Sequence, residues 1–138
     1  MSEENKALTR RFIEEVLNKG NLDAVDELMD PNYVEHSPFP GQAPGLEGQK
    51  QMFAMMRAAF ADFNVTIEEM IAEGDKVVVR STTRGTHNGE FMGIPPTGKQ
   101  VTVSEIHIIQ IAEGKGVAHW GEQDTMGMMQ QLGVIPTE

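Results

Sequence analysis

The chain changes its hydrophobic periodicity once, and this change constrains its fold more than any other feature. Before about residue 62, apolar residues recur at helical spacing, which predicts helices over Glu3–Asn18, Asn21–Met29 and Glu47–Ala61. Between the last two helices, Tyr33–His36 predicts a short strand. Beyond that point apolar and polar residues alternate with period two, which predicts strands over Asn64–Ala72, Lys76–His87, Lys99–Ala112 and Lys115–Glu122.

Helices followed by a meander of strands are typical of an α+β fold, with the helices packed on one face of a curved antiparallel sheet. Tight turns are predicted at Glu73-Gly74-Asp75 and Glu113-Gly114, and a last helix over Thr125–Leu132, capped by Asp124. The concave face of such a sheet, covered by helices, suits an apolar pocket. A chain of 138 residues predicts a single domain, 1–138.

The charge balance and the absence of cysteine exclude several classes of function. The chain has 11 Lys and Arg against 21 Asp and Glu, a net charge of −10, so it is unsuited to bind nucleic acid. Without cysteine, a disulfide scaffold, a zinc finger or a thiolate nucleophile is excluded, and chemistry falls to His, carboxylates or hydroxyls. No signal peptide or run of ~20 apolar residues is seen, which predicts a soluble cytoplasmic protein without membrane contact.

The long strand ending at Ala112 carries the first candidate chemistry. Period-two geometry places Glu105 and His107 on its more apolar face, among residues predicted to point inward. His119 on the next strand converges with them if its face is also concave. Such a set can perform general acid–base catalysis. A buried Glu and His that only hold the sheet and helices together would account for the same residues, and two His with one carboxylate also suit some metal sites.

Other residues enter the prediction less directly. His36 precedes a Pro-rich loop and can face either way, and His87 lies near a loop mouth where solvation is the expected state. Methionines on the third helix and near the end of the chain fill a core or line a pocket for an apolar ligand. The predicted substrate-binding residues are Tyr33, His36, Met52, Met56, Met92 and Trp120.

Several motifs together resemble a known family. They are Val16-Leu17-Asn18-Lys19-Gly20-Asn21, the loop Gly89-Glu90-Phe91-Met92-Gly93-Ile94-Pro95-Pro96-Thr97-Gly98, His119-Trp120, and Gln130-Gln131-Leu132-Gly133. In these the chain resembles the SnoaL-like polyketide cyclases, also called predicted ester cyclases, of the nuclear transport factor 2-like superfamily. The similarity runs from about Asn5 to Gly133.

This resemblance implies a cone-shaped α+β fold with a pocket, and homodimers or tetramers formed through the sheet. It implies a cofactor-free aldol condensation on a small apolar carbonyl compound. On this expectation His107 or His119 acts as base, Glu105 orients it, and Tyr33 or His36 binds a substrate oxygen. No metal is expected.

One departure from the family pattern matters for function. The cyclases carry a catalytic aspartate two positions after the histidine that His119 matches, and this chain has Gly121 there. Strand alternation turns the neighbouring Glu122 to the opposite face. The departure favours a second hypothesis, in which the chain is a non-catalytic binding or assembly module that keeps the pocket and the dimer.

Overall fold

A computed structural model describes residues 2–136 of the chain. Its helices are α1 (Ser2–Phe12), which continues as a π-helix over Ile13–Asn18, α2 (Asp23–Leu28), α3 (Gly45–Ala59) and α4 (Thr125–Leu132). Its strands are β1 (Met29–Glu35), β2 (Phe60–Glu73), β3 (Lys76–His87), β4 (Gln100–Ala112) and β5 (Lys115–Gln123). The predicted order of elements is therefore confirmed.

The five strands form one curved, unclosed sheet in the order β1-β5-β4-β3-β2, and the helices pack on it. Strands β2 to β5 are antiparallel neighbours, whereas β1 lies parallel to β5 at the edge. The α+β prediction is confirmed. The predicted turns at Gly74 and Gly114 are present, both with positive φ, and the Asp124 side chain caps α4 by accepting a hydrogen bond from Gly127 N at 2.9 Å.

The first strand begins earlier than predicted. Met29, expected at the end of the second helix, already pairs with Gly116 of β5, and Pro31 lies inside β1. Proline lacks an N–H for a strand ladder, so it is tolerated where β1 forms the sheet edge and the register shifts between Met29 and Val34. Pro31 is thus part of a bulged edge strand.

The end of the first helix also departs from the expected α-helix. Over Ile13–Asn18 the chain forms a π-helix, and the Arg57 guanidinium donates to Leu17 O and Asn18 O at 2.7 and 2.8 Å. The Asn18 side chain pairs with both backbone groups of Val65 on β2. The bonds from Arg57 satisfy carbonyls that the helix end leaves free, and those of Asn18 join this end to β2, which local sequence does not reveal.

His87 is fully buried, at 0% exposure, so the expected solvation of this residue is wrong. Its Nδ1 accepts a hydrogen bond from Thr97 N at 3.2 Å, and its ring lies 5.4 Å from that of Phe60. The Gly-Pro loop between β3 and β4 is therefore folded back over the imidazole. The loop closes the sheet end beside Phe91 and α4.

Candidate functional site

A cavity of about 330 Å³ lies between the helices and the concave face of the sheet. Its walls are mainly apolar, with Phe12 from α1, Phe53 from α3, and Val79, Ile109 and Ile111 from the strands. Glutamate and histidine side chains also line it. Within residues 2–136, no Lys or Arg side chain lines this cavity.

Strand alternation brings the predicted acid–base residues to one place. On β4, Glu105 and His107 face the cavity, and on β5 His119 does so. The strands pair His107 with Gly121 and Ile109 with His119, so the two imidazoles lie diagonally across the ladder. Near the start of β5 the register slips, because Gln110 pairs with Ala118 and Ile111 with Gly116. Because of this bulge, Gly116 lines the cavity together with His119.

Four side chains form one hydrogen-bonded row. Glu35 Oε2 lies 2.6 Å from His119 Nδ1, His119 Nε2 lies 2.8 Å from His107 Nδ1, and His107 Nε2 lies 2.7 Å from Glu105 Oε1. We call this row the carboxylate–histidine chain. Glu35 was not among the predicted site residues.

The carboxylate–histidine chain sets a requirement on its protons. Each of its three contacts needs one hydrogen, and two neutral imidazoles supply only two. The third contact requires one further proton, which is shared along the carboxylate–histidine chain between Glu35 and Glu105. Fully hydrogen-bonded, the chain carries two carboxylate charges and one extra proton, and therefore a net charge of −1. A group that stores and moves one proton at the wall of an apolar cavity is suited to acid–base chemistry.

Glu35, at one end of the carboxylate–histidine chain, is held by hydrogen bonds from a backbone N–H and a side-chain amide. Glu35 Oε2 also accepts from Ser37 N at 3.0 Å, and Oε1 accepts from Gln49 Nε2 at 3.1 Å. Burial acts to raise the pKa of Glu35, but the hydrogen bond and charge of His119, with the bonds from Ser37 and Gln49, outweigh it, so the pKa is lowered. Glu35 therefore remains the ionised end of the chain.

Gly121 leaves the space in which the two imidazoles meet. A Cβ at this position would lie 2.8 Å from His107 Nδ1 and 2.9 Å from His119 Cε1. The Gly121 N–H donates to Ser37 Oγ at 3.0 Å, which ties β5 to the residue that also bonds Glu35. In this chain the histidine pair occupies the place that a side chain at 121 would need.

The remaining predicted residues divide between the cavity and the opposite side of the sheet. Tyr33, Met52 and Met56 line the cavity, and burial, followed by the charge of Glu35, raises the pKa of Tyr33 so that its phenol stays protonated. His36 and Trp120 do not line it: their rings stack on each other at 4.4 Å with an interplanar angle of 1°. Met92 is exposed in the Gly-Pro loop.

Alternation along the sequence also indicates Glu35 as a residue of the inner face. In an extended segment Tyr33 and Glu35 share one face, and Val34 and His36 share the other. The choice of Tyr33 therefore implied Glu35 as its companion and argued against His36. The structure bears out this alternation, since only the first pair lines the cavity.

The nitrogens and oxygens of the site are engaged with one another. Within residues 2–136, no group of three or more His, Asp or Glu side chains has the disposition to hold an ion. The facing nitrogens of His107 and His119 are hydrogen-bonded directly to each other. Both remaining ring nitrogens are bonded to carboxylates.

The curved sheet under helices, with titratable groups opening into an enclosed apolar cavity, defines a nuclear transport factor 2-like fold. The chain belongs to the SnoaL-like polyketide cyclase family, whose model matches residues 7–132. The family resemblance read from the sequence motifs is confirmed. No helix in the described part of the chain is long and apolar enough to cross a membrane.

Relatives of known activity are ester cyclases. The chain is 30% identical over 119 residues to the nogalonic acid methyl ester cyclase of Streptomyces nogalater, covering 84% of this chain and 88% of the relative. It is 31% identical over 133 residues to the aklanonic acid methyl ester cyclase DnrD of Streptomyces peucetius, covering 91% and 88%.

Solved structures agree with this assignment. TsrD from Streptomyces laurentii superposes with a TM-score of 0.89 at 30% identity and covers 98% of both chains. IdmH from Streptomyces antibioticus superposes with a TM-score of 0.82 at 31% identity, over 94% of this chain and 98% of its own. The fold is therefore shared along almost the whole length of the chain.

Proposed function

We propose that this protein is a cofactor-independent cyclase that performs acid–base, aldol-type chemistry on a small apolar carbonyl compound. The observation that carries the proposal is the carboxylate–histidine chain opening into an apolar cavity. The methyl ester substrates in the names of its relatives support an esterified polyketide as substrate class. Such a substrate places no negative charge in a cavity whose described lining includes no Lys or Arg.

The reaction requires one proton to leave and return. A base removes a proton from a carbon next to a carbonyl group, and the C–H electron pair becomes part of the enolate. The enolate carbon attacks a second carbonyl carbon, and the new alkoxide takes up a proton. Water exclusion and positioning by the walls let one acid–base group serve both steps. The Tyr33 phenol, which stays protonated, is a suitable donor to a substrate carbonyl oxygen.

The experiment is a turnover assay on methyl esters of linear polyketide-type compounds with an activated methylene, with ring closure followed by mass spectrometry and NMR. We expect His107→Ala to lower kcat by about 10²- to 10⁴-fold, the range supplied by a positioned acid–base group. Ser104→Ala on the same strand is the matched control, since Ser104 is exposed on the opposite face and should leave kcat unchanged.

The second candidate is the non-catalytic binding module, which Gly121 favours because glycine transfers no proton. The two functions separate in the same assay. If the wild-type protein binds these esters but closes no ring, and His107→Ala changes only affinity, the binding module is the correct function. If neither binding nor turnover is found across the series, both candidates fail.

We further propose that the protein is a homodimer, or a tetramer of two dimers, formed through the outer face of the sheet. An apolar row crosses four strands there, since Ile71 pairs with Val78, Val78 with Ile108, and Ile108 with Trp120. Ile71 is 56% exposed and the nearby Ile106 is 50% exposed. A continuous apolar row of this kind is typical of an interface between subunits.

Ile106→Lys tests this assembly, because it places a charge beside the apolar row on the outer face of the sheet without touching the cavity. We expect the sedimenting species to change from a multiple of the chain mass to a single chain. Ala54→Lys, at an exposed position on α3, is the control and should sediment like the wild type. A wild-type protein that is already monomeric at micromolar concentration would contradict the proposal.

A further inference from the structure

The two ends of the carboxylate–histidine chain differ, because Glu105 is bonded through one oxygen only and Glu35 through both. We propose that Glu105 Oε2, and not an imidazole nitrogen, takes the proton from the substrate, and that Glu35 is the positioning residue at the opposite end. This assignment rests on the proposed acid–base function and names the atom that performs it. It reverses the expectation that a histidine acts as base and Glu105 only orients it.

The first argument is that every imidazole nitrogen of the site is already bonded. His107 uses Nδ1 for His119 and Nε2 for Glu105. His119 uses Nε2 for His107 and Nδ1 for Glu35. A ring nitrogen could accept a substrate proton only after one of these bonds, between 2.6 and 2.8 Å long, had broken.

The second argument compares the two carboxylates. Glu35 is saturated, since its two oxygens accept hydrogen bonds from His119, Ser37 and Gln49. Glu105 accepts one hydrogen bond, from His107 Nε2 to Oε1. Among residues 2–136 its Oε2 has no hydrogen-bond partner, and the side chain is 12% exposed at the cavity wall. Glu105 Oε2 is therefore the free acceptor of the carboxylate–histidine chain.

The residue opposite Glu105 supplies a complementary donor. Ser81 on β3 pairs with Glu105 across the sheet and also lines the cavity. Its Oγ is buried and has no hydrogen-bond partner among the described residues. A buried hydroxyl without a partner is costly unless a ligand or water completes it. Ser81 Oγ is buried as it stands, so it can donate to a substrate carbonyl oxygen only after its side chain turns toward the cavity, with the substrate C–H directed to Glu105 Oε2.

The proton then follows a closed path. The substrate C–H bond breaks, its electron pair stays on the substrate as the enolate, and the proton bonds to Glu105 Oε2. His107 Nε2 continues to donate to Oε1, and Glu35 keeps the extra proton of the row on the histidines. After the C–C bond forms, Glu105 returns its proton to the alkoxide. Over the full cycle the protein gains and loses no net proton, and the proton held on Glu105 exchanges with solvent before it is returned.

Glu105→Gln tests the assignment, because the glutamine oxygen still accepts from His107 whereas the amide cannot accept the substrate proton. The probe is the exchange of the methylene protons of a β-keto methyl ester in D2O, followed by ¹H NMR. We expect this exchange to slow by about 10²- to 10⁴-fold, with the melting temperature unchanged. Glu73→Gln, the same charge change at an exposed strand end, is the control and should exchange at the wild-type rate.

Glu35→Gln separates a positioning role from a purely structural one. We expect it to lower kcat by about 10-fold and to shift the pH dependence of kcat, with KM nearly unchanged. If Glu105→Gln exchanges protons at the wild-type rate while His107→Ala does not, the assignment to Glu105 is overturned and the proposed function stands.

A direct measurement keeps the assignment testable if the wild-type protein turns over no substrate. The carboxyl carbon of Glu105, identified by its loss in Glu105→Gln, is followed by ¹³C NMR as a 2,2-dimethyl β-keto ester is added. We expect this signal to shift while the ring nitrogens of His107 and His119 keep their hydrogen-bonded shifts. A signal that does not move overturns the assignment, whereas the proposed function is judged separately, by turnover of the enolisable methyl esters.

Discussion

Gly121→Asp should disable the site and not restore a cyclase. Any Cβ at residue 121 would lie 2.8 Å from His107 Nδ1 and 3.0 Å from His119 Nε2, where the two rings are hydrogen-bonded to each other. An aspartate adds a third carboxylate to the carboxylate–histidine chain, which already carries a net negative charge. We expect the histidine pair to separate and turnover to fall by at least about 10²-fold, as for loss of a general acid–base group.

The same substitution should lower the free energy of unfolding by about 1–3 kcal/mol, the usual cost of overpacking. Urea denaturation measures this change, and ¹⁵N NMR of the imidazoles reports whether the rings still bond. Gly116→Ala is the matched control, because its Cβ would meet only Tyr33, Leu28 and Ile109 at 3.7 to 3.9 Å. It should change the unfolding free energy by less than about 0.5 kcal/mol. An aspartate variant with intact imidazole signals and increased turnover would show that the space at Gly121 is not needed.

Gly48→Ala should destabilise the protein even though alanine is the better helix former. Gly48 lies within α3, where alanine is favoured over glycine by about 1 kcal/mol. Its Cβ, however, would lie 1.7 Å from Ala43 O and 2.5 Å from Ala43 C. These are backbone atoms and cannot rotate away as a side chain can. We expect the clash to outweigh propensity and to cost about 3 kcal/mol, measured by urea denaturation.

Gln51→Ala isolates the propensity effect, because Gln51 is an exposed residue of the same helix. Its unfolding free energy should stay within about 0.5 kcal/mol of the wild type. The segment displaced in Gly48→Ala includes Phe39 and Gln42, which line the cavity, so ligand affinity should fall together with stability. A Gly48→Ala variant more stable than the wild type would contradict the close approach of loop and helix.

The sequence predicts a strand face or a helix end correctly where the residues of that segment alone determine its structure. Alternation along β4 was enough to place Glu105 and His107 on one inner face, because a sheet with one covered face fixes side-chain direction at every second residue. Asp124 and Gly133 were identifiable as helix caps for the same local reason. The family resemblance added the fold as a whole.

Alternation could place Glu35 on the inner face beside Tyr33, but its partner and the other missed features depend on contacts between distant parts of the chain. Glu35 meets His119 across 84 positions, and no local pattern contains that pairing. The early start of β1 depends on β5 as its neighbour, and the π-helix depends on Arg57, 39 positions beyond Asn18. Met92, chosen as an apolar pocket residue, is directed outward in a loop whose conformation is governed by the buried His87.

Arg57 has a mechanical consequence for how a ligand reaches the cavity. Its guanidinium joins α3 to the end of the first helix through Leu17 O and Asn18 O, and Asn18 is joined in turn to Val65 on β2. One corner therefore locks two covering helices and a strand together through charged and paired hydrogen bonds. The helices that cover the cavity are therefore held rigidly to β2 at this corner. We therefore expect ligand exchange to leave the helices in place at this corner and to involve side-chain movement elsewhere around the cavity.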